Sequence, residues 1–149
     1  MASNSIRERI ILADIALVKT IDSIKTVERR LPSYSDLQSF ALTQLPVAAV
    51  VGRIPVPVNH ISNRNGQVDQ CNSELKVDIY VFIQENKNAD VQVSSILDDF
   101  WRVLYTDPTR NELGTFLELI AEENIETWVP FVAFKITCKH IYNHSIGGI

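Results

Sequence analysis

The feature that most restricts the fold is the segment 75–84, in which aliphatic and other residues alternate strictly. The odd positions are all aliphatic, and the even positions carry Lys76, Asp78, Tyr80, Phe82 and Gln84. A period of two is typical of a β-strand, whose successive side chains point to opposite faces of a sheet. The aliphatic face needs cover, and the mixed face is expected to meet solvent or a partner. We therefore predict that this segment is the central strand of the sheet.

Length and composition favour one domain over residues 1–149. The chain has 149 residues, of which 46% are hydrophobic, enough to bury a single core. Its net charge of −4 argues against a basic surface for nucleic acid, so no direct nucleic-acid recognition is expected. Two cysteines, Cys71 and Cys138, are too few for a disulfide framework and suit a reducing compartment.

Neither export nor membrane insertion is expected from the sequence. The charged run at 7–9 stands where a signal peptide needs an apolar segment. The longest uncharged apolar stretch, 45–52, is far shorter than the roughly 20 residues that span a bilayer.

The first element is predicted to be a helix over residues 6–19. Ser5 and Glu8 have the spacing of a capping box. Apolar residues then recur at helical spacing, namely Ile6, Ile10, Ala13, Leu17 and Ile21. The polar side is predicted to carry Arg7, Glu8, Asp14 and Lys19. Because Leu12 and its neighbours widen the apolar face, another subunit is expected to cover some of it.

The other elements follow from apolar periods and from breaker residues. They are a strand at 26–30, a short helix after 33–36, a strand at 47–51, a helix at 89–105, and closing strands at 113–120 and 126–142 with a turn near 122–124. The predicted fold class is α+β: a mostly antiparallel sheet of about four to five strands flanked by two main helices and a short helix, with a long protruding loop or β-arm.

The arm is residues 53–72, where proline, asparagine and glycine become frequent. Asn65-Gly66 is the strongest dipeptide for a hairpin tip. Loops longer than about 12–15 residues are uncommon in compact domains unless they bind something or are disordered. We predict that the arm is mobile in the free subunit and becomes ordered against a partner. The C-terminal residues 143–149, with Gly147-Gly148, are predicted to form a flexible tail.

Two groups of residues could carry chemistry. Cys138, His140 and His144 are possible metal ligands, and Cys138 with His140 could form a nucleophile and base. The favoured interpretation is that Cys138 packs as a small hydrophobic residue. The second group is a Glu-rich segment that could supply paired carboxylates but is typical of a solvated turn: Glu118, Glu122, Glu123 and Glu126. The glycines form no phosphate-binding motif. We predict no enzymatic activity, no cofactor and no metal.

Large aromatic residues near element ends are either the border of the core or contact residues. Together with the arm they give the predicted interface set: Arg53, Ile54, Val56, Val58, Ile61, Asn65, Gly66, Val68, Tyr80, Phe82, Trp101 and Trp128. The apolar surface of the first helix and these aromatics favour a homo-oligomer.

The order of elements resembles the bacteriophage tail terminator family over nearly the whole chain. The resemblance rests on the helix that begins Ile6-Arg7-Glu8-Arg9-Ile10, on the Leu45-Pro46 entry into an apolar strand, and on the long loop before residues 75–84. A helix with Asp98-Asp99-Phe100 and a last strand that ends at 142–149 complete it.

The resemblance implies a virion protein at the junction of tail and head. It implies a ring, hexameric in this family, that sits on the tail tube protein, stops tube growth and presents a surface to the head connector or neck protein. A sheath protein would be a further partner if the tail is contractile. The alternatives are another neck or head-completion protein, an adaptor for a host protein, or a small α+β ligand-binding domain or enzyme.

Overall fold

The computed structural model describes residues 5–40, 44–62, 68–84, 88–106, 115–128 and 131–145. The helices are α1 (Ile6–Lys19), α2 (Tyr34–Ser39) and α3 (Ala89–Leu104). The strands are β1 (Thr26–Glu28), β2 (Val47–Gly52), β3 (Val56–Ser62), β4 (Val68–Gln84), β5 (Thr115–Trp128) and β6 (Phe131–Ser145). The predicted α+β class is confirmed. None of the described helices is long and apolar enough to cross a membrane.

One sheet contains all six strands in the order β1-β2-β4-β6-β5, and β3 pairs with β4 beside this path. The pair β1 and β2 is parallel, and the other pairs are antiparallel. β4 is the central strand that the alternating segment predicts, but it begins at Val68 rather than Leu75. The path of five strands agrees with the expected four to five, and the arm adds β3 beside it.

The main core lies between one face of the sheet and the two long helices. The odd-numbered residues of β4 from Leu75 to Ile83 are buried there, as the alternation predicts. α1 contributes Ile10, Ile11 and Val18, and α3 contributes Val93, Ile96, Phe100 and Leu104. Each large aliphatic or aromatic side chain buried in this way stabilises the fold by about 1.5–3 kcal/mol.

Part of the opposite face of the sheet is also covered. Leu45, Val47, Ala49, Phe82 and Ala133 form a second buried cluster there. Phe40, which follows α2, and Tyr80 pack against it. The mixed face of β4 is therefore buried near Phe82, whereas Lys76 remains partly exposed.

The bounds of α1 agree with the prediction, and Ser5 caps the helix by accepting a hydrogen bond of 3.1 Å from the Glu8 N–H. Both carboxylate oxygens of Glu8 also lie 2.6 Å from the Arg29 guanidinium, whose hydrogen bond holds the pKa of Glu8 below its usual value. The placement of Asp14 on the polar side was wrong, since this carboxylate is fully buried. The buried stripe follows steps of four through Ile10, Asp14 and Val18.

The predicted turn near 122–124 was also wrong. Glu122 pairs with Lys135 and Glu123 pairs with Phe134, so the β5–β6 ladder continues through this segment. A register shift between Glu123 and Thr127 takes up the intervening residues, as a β-bulge does. The strands are instead joined through residues 129–130, which lie outside the described residues. Of the predicted tail, 143–145 belong to β6, and 146–149 lie outside the described residues.

Candidate functional site

The arm is a β-hairpin extension of the sheet. Residues 56–62 of β3 pair with residues 68–74 of β4, and β6 follows β4 on the other side as far as the pair Gln70–Ser145. β2 pairs with a later part of β4, residues 77–82. The predicted β-arm is therefore present, and its flanking strands are paired within the subunit. The tip residues Asn65 and Gly66 lie outside the described residues.

Arg53 anchors the base of the arm to the sheet. Its N–H donates to the Lys76 carbonyl at 2.9 Å. Its guanidinium donates to both carboxylate oxygens of Asp78, at 2.6 and 3.0 Å. Asp78 is nearly buried and also accepts a hydrogen bond of 2.7 Å from the Thr137 hydroxyl. Arg53, which the sequence places in the interface set, thus makes its described contacts inside the subunit.

Helix α1 also contacts the base of the arm. Arg7 donates to the carbonyl oxygens of Gly52 and Arg53, at 3.0 and 3.2 Å. Gly52 lies against the buried Ile11, so a Cβ atom on Gly52 would overlap Ile11 Cδ1. Close packing between strand and helix therefore favours glycine here.

We predict that Gly52→Ala lowers the free energy of unfolding by about 1–3 kcal/mol, because the new methyl group overpacks the contact with Ile11. Urea unfolding of the purified chain measures this difference. Combining Gly52→Ala with Ile11→Val removes the overlapping Cδ1 atom and should recover part of the loss. If the loss in the double variant equals the sum of the losses in the two single variants, the overlap with Ile11 does not cause the destabilisation.

The predicted interface residues fall into three groups. Ile54 and Val56 at the start of the arm are strongly exposed, at 85% and 62%. Trp101 on α3 is 41% exposed. Phe82 is buried and Tyr80 is partly buried in the second cluster, so both contribute to the subunit's own packing. For four further residues only the position in a strand is described: Val58 and Ile61 lie in β3, Val68 begins β4 and Trp128 ends β5.

A buried polar cluster joins α1 to β6. His140 Nε2 and Asp14 Oδ2 are 2.7 Å apart, and both side chains are at most 1% exposed. The Cys138 thiol is also buried, and the possible metal-ligating atoms of the three residues lie within 4.8 Å of one another. Sequence reasoning found Cys138 and His140 but missed Asp14. The signal for Asp14 was its position four residues from both Ile10 and Val18.

The cluster contains the residue types of a Cys-His-Asp nucleophile site and of a metal site. All three side chains are buried. The direct hydrogen bond between His140 Nε2 and Asp14 Oδ2 links α1 to β6. The side chain of His144, the third predicted ligand, lies outside the described residues.

A cleft lies elsewhere, between β1 and α2. Its volume is about 200 Å³, and its lining residues are Glu28, Arg30, Pro32, Asp36, Ser39 and Phe40. Ligand pockets for drug-sized molecules usually measure about 300–1,000 Å³. This cleft is therefore small for an organic substrate.

Comparison with known proteins gives no family assignment. No protein-family model matches the chain. No curated protein matches it either.

Proposed function

We propose that this protein is a structural subunit that forms a ring at the end of a bacteriophage tail tube. The ring stops tube growth and offers the surface to which the head connector or neck protein binds. The sequence resemblance motivates this function. The observation that supports it best is the arm, an extension of the sheet that begins with two exposed aliphatic side chains, Ile54 and Val56.

The described side chains at the start of the arm lie largely outside the core of their own subunit. Ile54, Val56 and Pro57 are all exposed. Exposed aliphatic side chains at the start of a paired extension are better explained by contact with a partner than by subunit stability. The base of the arm is fixed at the same time, because Arg53 and Asp78 hold it to the sheet.

The rival class is a ligand-binding domain or enzyme. The cleft between β1 and α2 is its best candidate site, and the buried Cys138 is its best nucleophile. The first is small and the second is closed to solvent, so neither gives this class comparable support. Another neck or head-completion role would also use a ring. Only the position of the ring on the particle distinguishes that role from the proposed one.

The test is the assembly state of the purified full-length chain. Size-exclusion chromatography with light scattering and negative-stain images should show a ring, of six subunits if the resemblance holds. Mixing with the tail tube protein should place that ring at tube ends. A chain that stays monomeric at high concentration and is absent from assembled particles would exclude the proposal. A melting temperature that rises with a small ligand would then favour the rival class.

A further inference from the structure

We propose that subunits contact each other through the outer face of α1 on one copy and the outer face of α3 on the next. This inference rests on the proposed ring in that its partner is a second copy of this chain. The two faces are defined by exposed residues that recur at helical spacing. They are Arg9, Leu12, Ala16 and Lys19 on α1, Asp98 and Trp101 on α3, and Tyr105, which caps the end of α3.

The apolar residues of the two faces are unusually exposed for their size. Leu12 is 41% exposed, and Trp101 and Tyr105 are 41% and 48% exposed. Aromatic side chains at this level of exposure are enriched at the centres of protein interfaces. Ala16 on α1 is small, so it leaves room for an indole ring between Leu12 and the end of the helix.

The charges on the two faces are opposite. α1 presents Arg9 and Lys19, whereas α3 presents Asp98. Among the described residues, none of these three side chains forms a salt bridge. Other charged residues of the same helices do pair, as Glu8 does with Arg29 and Asp99 with Arg102. The unpaired cations therefore lie on one face and the unpaired carboxylate on the other, which favours a contact between α1 and α3 of different copies over a contact between like faces.

The spacing of the residues matches as well. With the helices antiparallel, Leu12, Ala16 and Lys19 meet Tyr105, Trp101 and Asp98, since both series advance by four and then three residues. With the helices parallel, Arg9, Leu12 and Ala16 meet Asp98, Trp101 and Tyr105 by the same rule. Both directions place apolar residues against the aromatic residues and a cation against Asp98. The direction decides only whether Arg9 or Lys19 is that cation.

In a ring this contact is heterologous: α1 of one copy meets α3 of the next, and the reciprocal contact is made with the copy on the other side. Heterologous contacts generate closed rings when the rotation between copies closes. The arm then remains available for the tube or the head.

Sedimentation equilibrium of the full-length chain tests the contact. Trp101→Ser and Leu12→Ser should each lower the association constant by at least about 30-fold, the effect of losing an interface hot spot. Circular dichroism checks that each variant is folded. Asp98→Lys should weaken association, and adding either Arg9→Glu or Lys19→Asp should restore it. Because Trp101 is partly packed in its own subunit, the exposed charges give the decisive comparison.

Asp90→Lys is the matched control. Asp90 is also an exposed carboxylate of α3, but it lies eight residues, or about 12 Å of helix, before Asp98. Its reversal should leave association within a few-fold of the wild type. If the wild-type chain forms a ring that Asp98→Lys does not weaken, or if neither reversed cation restores association, the contact is wrong while the ring proposal stands. A monomeric wild-type chain would overturn both.

Discussion

Replacing Asp14 with Ala should lower the free energy of unfolding by about 3–5 kcal/mol, because it leaves His140 buried without the carboxylate it contacts. The link joins the first helix to the last strand, 126 residues apart along the chain. Its loss should therefore weaken the whole fold rather than one end of it. Urea unfolding followed by circular dichroism measures the change.

A double-mutant cycle separates the link from simple loss of volume. His140→Ala alone should also be strongly destabilising, whereas the double variant should cost clearly less than the sum of the two. Asp22→Ala, at an exposed aspartate just beyond α1, is the control and should stay within about 0.5 kcal/mol of the wild type. Additive effects of the two changes, or a loss below about 1 kcal/mol for Asp14→Ala, would show that the pair does not link helix to sheet energetically.

The sequence predicts the parts of the fold that depend on local pattern. The bounds of α1 agree because a capping box and an apolar period both begin at Ser5. The alternation from Leu75 to Ile83 identifies the core face of β4, because every odd-numbered residue in this segment packs in the main core. Neither prediction needs knowledge of a distant residue.

The errors arise where a distant residue changes the local preference. An aspartate in a helix is usually solvated, but His140 from the last strand provides Asp14 with a buried partner. The Glu-rich segment has the composition of a turn, yet β6 pairs with it through Lys135. The Arg53 guanidinium likewise has a partner in Asp78 on β4, and its place in the interface set stays a prediction. The partner in each case comes from another strand, which no local pattern reveals.

The arm shows both effects at once. Its position and hairpin form follow from the sequence, but the contact between Arg53 and Asp78 at its base does not. The expected mobility of the arm in the free subunit stays a prediction. Val56 and Pro57 lie opposite Glu74 and Ser73, so β4 supplies the hydrogen-bonding partner that the composition alone could not predict. The exposed Ile54 and Val56 remain available for a partner.

Shortening the arm should abolish its role on the particle while leaving the subunit folded. Asn59 and Asn72 lie opposite each other, so residues 60–71 can be replaced by a two-residue Asn-Gly turn that joins them directly. The change keeps the Arg53–Asp78 anchor, the 2.9 Å hydrogen bond between Asn143 and Asn72, and all of the buried core from Ser73 onwards. The free energy of unfolding should therefore change by no more than about 1–2 kcal/mol.

Function should respond strongly although the subunit stays folded, because an interface hot spot contributes about 2 kcal/mol or more and its loss lowers binding roughly 30-fold. We expect phage that carry the shortened arm to yield tails of irregular length or tails without heads, counted in negative-stain images. A double substitution of the exposed aliphatic residues, Ile54→Ser with Val56→Ser, keeps the full hairpin and tests whether the base of the arm makes the contact. If the shortened arm gives infectious particles with heads attached and tails of normal length, the hairpin is a surface extension without a part in tail completion. If only the double substitution fails, the contact lies at the base of the arm, at Ile54 and Val56, and the tip is dispensable.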